Sequence, residues 1–104
     1  MREIIKGKLY DTEKSELLHS IEVSLTEYNE TSKKIERLYR TNNTKNYFLC
    51  VLDLSSNPAK FVNQQVLDNN GWELFEITEA AAQTWTEKFL HTDDIIKIFD
   101  IVEM

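Results

Sequence analysis

Between Tyr47 and Leu54 the chain runs Tyr-Phe-Leu-Cys-Val-Leu-Asp-Leu, and both alternating faces of that run are apolar: Tyr47, Leu49 and Val51 on one, Phe48, Cys50, Leu52 and Leu54 on the other. A strand with one wet face alternates apolar and polar residues; a strand that is apolar on both faces must be covered from both sides. The run therefore predicts a central strand with a layer above and a layer below, and places the middle of the core there.

The flanking sequence builds a sheet around it. Ile35, Leu38 and Tyr39 fit a helical stripe, and Ile35, Arg37 and Tyr39 against Glu36, Leu38 and Arg40 fit a strand. The polar turn cluster Thr41 to Asn46 ahead of the central run favours a hairpin over 35–54. Upstream, Leu17, His19, Ile21, Val23 and Leu25 alternate with Leu18, Ser20, Glu22 and Ser24, the period of a half-buried strand. Residues 26–34 are polar and without period, which predicts a surface loop. Ile4, Ile5, Leu9 and Tyr10 around Gly7 predict a strand or a bent pair of strands, ending in a turn at Asp11-Thr12.

The second half reads differently. Ser56-Asn57-Pro58 and the later Asn69-Asn70-Gly71 bracket a helix over about 58–69, with Phe61, Val62 and Val66 inward. Trp72 to Ile77 reads as a short strand. Thr78 caps a helix whose inner face is Ala82, Trp85 and Phe89. Thr92 precedes Asp93-Asp94 and an Ile/Phe cluster that suits a short helix or a last strand; the acidic start favours a helix to Phe99, followed by an extended tail. Together these elements predict one domain over 1–104 of the α+β class, an antiparallel, meander-like sheet with two or three helices packed in the C-terminal half.

Charge is divided unevenly along the 104 residues. Residues 1–45 hold 9 Lys/Arg and 8 Asp/Glu, whereas residues 46–104 hold 3 and 10, so the second half carries −7 of a net −6. Its field repels nucleic acid and membrane phosphates and attracts basic protein surfaces. No window approaches the roughly 18 consecutive apolar residues of a membrane span. A single cysteine, Cys50, forms no internal disulfide, so a soluble protein of the cytoplasm is expected. Catalytic machinery is not legible. His19 and His91 are the only histidines and lie far from Cys50, two glycines make no phosphate loop, and no Cys/His spacing marks a metal. His91, Asp93 and Asp94 read as a loop and a helix start before they read as ligands. The expectation is a non-enzymatic protein with no cofactor and no metal.

Lys8-Leu9-Tyr10-Asp11-Thr12-Glu13-Lys14, then Arg37-Leu38-Tyr39-Arg40-Thr41, a turn and Tyr47-Phe48-Leu49 together resemble a pattern of small proteins carried by phages, plasmids and other mobile elements of Gram-positive bacteria. That pattern runs K-x-Y-D-T-E-x-A, L-Y-R-T, Y-F-L and ends in a capped Ala-rich helix; Ile77 to Trp85 and Ile98-Phe99 are similar to that ending. This chain departs from it at Ser15, where the pattern has Ala, in the turn 42–46, which lacks a Gly, and at 55–70, which look like an inserted helix. The resemblance implies an antiparallel sheet followed by helices and life in a bacterial host on a mobile element. Some small acidic proteins of that lifestyle are anti-CRISPR inhibitors of the type II effector nuclease, and this chain is similar to them in size and charge. The partner implied is that nuclease or another nucleic-acid-binding host protein.

A CRISPR nuclease holds nucleic acid in channels of Lys and Arg, and a surface of carboxylates competes for them as a DNA mimic. The candidate partner-binding residues are Glu73, Glu76, Glu79, Glu87, Asp93, Asp94, Asp100 and Glu103, with Trp72 or Trp85 as an aromatic contact. The plain reading of the same carboxylates is a solvated face, with Glu79, Asp93 and Asp94 supporting helix starts. The alternative function is a structural or self-associating module of a phage or plasmid, a homodimer through an exposed edge strand. Direct nucleic-acid binding through Lys33, Lys34, Arg37, Arg40 and Lys45 ranks below both, because Glu27, Glu30 and Glu36 dilute that patch.

Overall fold

A computed structural model describes residues 1–28, 30–54 and 69–101. β1 (Arg2–Ile5) and β2 (Lys8–Asp11) form an antiparallel hairpin in which Ile5 pairs with Lys8. Lys6 and Gly7 both sit at positive φ, 51° and 77°, the backbone of the two-residue turn whose twist matches that of paired strands. Asp11 then accepts from the backbone N–H of Glu13 at 3.0 Å and starts a 3₁₀ turn over Thr12–Lys14.

The main sheet has four antiparallel strands in sequence order, β3 (Ser15–Glu27), β4 (Glu30–Thr41), β5 (Tyr47–Asp53) and β6 (Trp72–Ile77). The hairpin expected over 35–54 is present as β4 and β5, with Tyr39 opposite Phe48 and Arg37 opposite Cys50. Thr41 closes its turn: its N–H donates to Asn46 O and its hydroxyl accepts from Asn46 N–H, while Lys45 takes φ 55°.

Register sorts the side chains. Leu38, Tyr47, Leu49 and Ile77 share one face and pack with Ala82, Trp85, Ile95 and Phe99. Tyr39, Phe48, Cys50 and Leu74 share the other and pack with Tyr10, Met1 and Ile5 of the N-terminal hairpin. Both faces of β5 are therefore covered, as its double apolar pattern requires. Phe48 and Leu38 are wholly buried, each burial contributing about 2–3 kcal/mol relative to exposure. The Phe48 ring stacks on Tyr39 at 5.1 Å and tilts against Tyr10 at 5.2 Å.

Two helices follow β6: α1 (Glu79–Phe89) and α2 (Thr92–Phe99). Thr78 caps α1 by accepting from Ala81 N–H at 3.1 Å. Arg40 ties α2 to the sheet, one Nη donating to Ile98 O at 2.6 Å and the other to Glu16 Oε2 at 2.9 Å. The fold is α+β, with an antiparallel sheet and two helices in the C-terminal half.

Several local expectations are corrected. Residues 26–34 are mostly strand, not loop, because β3 and β4 keep pairing out to Glu27 and Glu30; cross-strand hydrogen bonds outweigh a polar composition. A bulge between Leu17 and His19 breaks the alternation, so Leu17 turns away from His19 and is exposed while Leu18 packs on the core. In α1, Phe89 is 40% exposed and Thr86 is wholly buried instead, its hydroxyl satisfied by Gln83 O at 2.8 Å. The N-cap of α2 is His91, without a side-chain bond, and Thr92 is the first helical residue. The helix expected over 58–69 and most of the extended tail lie outside the described residues. At the end of the former, Asn69 is buried and clasps Arg2, donating to its O at 3.1 Å and accepting from its N–H at 3.2 Å.

Candidate partner-binding surface

α1 and α2 lie on the same side of the sheet, packed through Ala82, Trp85, Ile95 and Phe99. Their outward residues include Glu79 and Glu87 on α1, Asp93 and Asp94 in the first turn of α2 and Asp100 at its left-handed C-cap, all exposed. From Glu79 to Ile101 these five carboxylates face two lysines, Lys88 and Lys97. Glu79, Gln83 and Glu87 follow at i, i+4 and i+8, hence along one drifting stripe, and Gln83 donates to Glu79 at 3.5 Å. The Thr78 cap of α1 and the packing of both helices on the sheet hold Glu79, Glu87, Asp93 and Asp94 on helical backbone rather than on loops.

The other sequence candidates go elsewhere. Glu73 is half-buried on β6, opposite Val51, on the helix side of the sheet. In the same cross-strand row Glu36 accepts from the Trp85 indole Nε1 at 3.3 Å. Glu76 points to the opposite face, where its carboxylate accepts from the Tyr10 hydroxyl and stands 4.0 Å from both Lys6 Nζ and Lys8 Nζ. The Tyr10 bond, reinforced by the two ammonium groups, holds that carboxyl below its usual range; burial and the facing carboxylate push the Tyr10 phenol up to about 12. Glu76 is thereby matched inside the protein. Trp72 also lies on that face, half-buried, with the Arg37 guanidinium 4.8 Å over its ring. Glu103 lies outside the described residues.

Sequence reasoning missed the cleft around Glu76. Lys6, Lys8, Tyr10, Asn46, Glu76, Ile77 and Thr78 line an open cavity of about 230 Å³. Lys8 and Tyr10, two residues apart on β2, share a face, a relation legible from the strand; Glu76, 66 residues from Tyr10, is brought there only by the tertiary fold. The cleft opposes two cations to one anion, so little charge is left for a ligand.

Cys50 and His19 lie among packed side chains, whereas His91 is exposed at the start of α2. Cys50 is buried at the centre of the sheet, and that burial pushes its thiol up to about 12. His19 meets the Trp85 ring edge-on at 6.0 Å. Among the described residues no group of His, Cys, Asp and Glu has metal-site geometry, and no helix is long and apolar enough to cross a membrane. Comparison of the chain with protein-family models, with curated proteins and with solved structures finds no match.

Proposed function

We propose that this chain is a small acidic, non-enzymatic inhibitor from a mobile genetic element, which binds the basic nucleic-acid-binding surface of a host defence nuclease of the type II CRISPR class. The observation that carries the reading is the set of five exposed carboxylates, Glu79, Glu87, Asp93, Asp94 and Asp100, on two helices that lie side by side over one face of the sheet. Carboxylates on helices keep their spacing, so a channel built to grip phosphates meets fixed negative charges. Glu76 and Trp72 take no part in this surface, being occupied by Tyr10 and Arg37 on the far face.

A cleavage assay with a type II nuclease, guide RNA and target DNA tests the proposal. Excess protein stops cleavage, and the association rate falls steeply as salt rises. Reversing Glu87 and Asp93 to Lys, both exposed, raises the inhibitory concentration at least about tenfold, equal to ~1.4 kcal/mol of binding. Full cleavage at saturating protein overturns the reading for the nuclease tested.

A further inference from the structure

The two edges of the four-stranded sheet differ. Beside β6 the N-terminal hairpin is clasped in place, Arg2 exchanging two hydrogen bonds with Asn69 just ahead of the strand and Met1 and Ile5 packing against the cluster that holds Leu74 and Trp72. On β3, 13 residues long and about 44 Å at ~3.4 Å per residue, β4 occupies one side and, among the described residues, no strand occupies the other. Edge strands are ordinarily blunted by lysine, proline or a bulge. β3 contains neither lysine nor proline, and its bulge lies near its start, at Leu17/His19; from His19 onward the ladder to β4 is regular.

Two of its carboxylates are already matched from within: Glu16 pairs with Arg40 at 2.9 Å and Glu22 with Lys33 at 3.7 Å, so the middle of two such edges approaches with less repulsion than a net charge of −6 brings elsewhere. We infer that the outer edge of β3 pairs with the same edge of a second copy, antiparallel about Ile21, joining two four-stranded sheets into one of eight strands. A two-fold axis requires the edge to complement itself, and this register does so. Ile21 meets Ile21 and His19 meets Val23 on the helix side, while Ser20 meets Glu22 on the other, where its hydroxyl can donate to the carboxylate. Val23, 38% exposed in the single chain, becomes covered. Centring the pair one residue on would set Glu22 against Glu22.

Sedimentation equilibrium of the full chain over a range of concentrations tests this, with the mass rising from 12.3 kDa towards twice that value. Val23→Lys, at an exposed position that leaves the monomer's core intact, weakens the dimer at least tenfold. Ile21→Cys, with folding checked by circular dichroism, gives a disulfide-linked dimer under mild oxidation, whereas Glu22→Cys, off the axis, does not; buried Cys50 does not compete. A mass of 12.3 kDa at every concentration overturns the inference. So does a dimer that is unchanged in Val23→Lys and gives no cross-link at 21, and a cross-link at 22 in place of 21 overturns the register.

Discussion

The indole N–H of Trp85 donates to the carboxylate of Glu36 at 3.3 Å, joining α1 to the second strand of the sheet through a group that is otherwise core. Trp85 also tilts against Phe89 at 5.1 Å and meets His19 edge-on. Trp85→Ala therefore costs about 3–5 kcal/mol as a core truncation. Trp85→Phe keeps part of the packing and loses the bond, costing about 1–3 kcal/mol. Urea unfolding followed by far-UV circular dichroism separates the two; a Trp85→Phe protein as stable as the parent would show that the hydrogen bond adds nothing.

The Tyr10–Glu76 pair gives stability a signature at both ends of the pH range. Glu76, lowered in the folded state, contributes stability that is present above the unfolded carboxyl value near 4.5 and is lost as pH falls through the lower folded value. Tyr10, raised to about 12, contributes stability that is present below the unfolded phenol value of 10.0 and is lost between there and about 12. Tyr10→Phe should flatten both slopes, and urea midpoints measured across pH in both proteins check it.

At the turn between β4 and β5, Lys45 holds φ 55°, a region costly for a residue with a Cβ and free for glycine. Lys45→Gly is expected to stabilise the protein by about 0.5–1 kcal/mol, the relief of strain exceeding the added freedom of the unfolded chain. A lower melting temperature would count against it.

Thr78 and Thr92 look alike in sequence and differ in the fold. Thr78→Ala removes the oxygen that accepts from Ala81 N–H and costs about 1 kcal/mol. Thr92→Ala, at an exposed position inside α2, stays within about 0.5 kcal/mol of the parent. Chemical denaturation of the pair is sufficient.

Cys50 lies wholly buried with its thiol pushed up to about 12, so a thiol reagent at pH 8 should leave the native protein unlabelled and label one site per chain in denaturant. Rapid labelling of the folded state would mean that the sheet opens at its centre.

What could be read from the residues was what local chemistry decides. The double apolar face of 47–54 located the central strand, Gly71 and Thr78 marked where β6 and α1 begin, and the turn at Thr41 to Asn46 joined β4 to β5. What escaped depended on pairing over distance. The extension of β3 and β4 into polar sequence is set by each strand's partner, and the bulge at Leu18 has no local mark. For the candidate surface, charge along the chain singled out Glu79, Glu87, Asp93, Asp94 and Asp100, whereas the diversion of Glu76 to Tyr10 and of Trp72 to Arg37 arises because β1 and β2 fold back over the face of the sheet away from the helices.

Because β5 is the floor of one hydrophobic cluster and the ceiling of the other, its amides report on both at once. Loosening the helices or peeling back the N-terminal hairpin uncovers the same strand, so slow hydrogen exchange should concentrate between Phe48 and Leu52 and vanish there in one step, with no intermediate in which half the molecule survives.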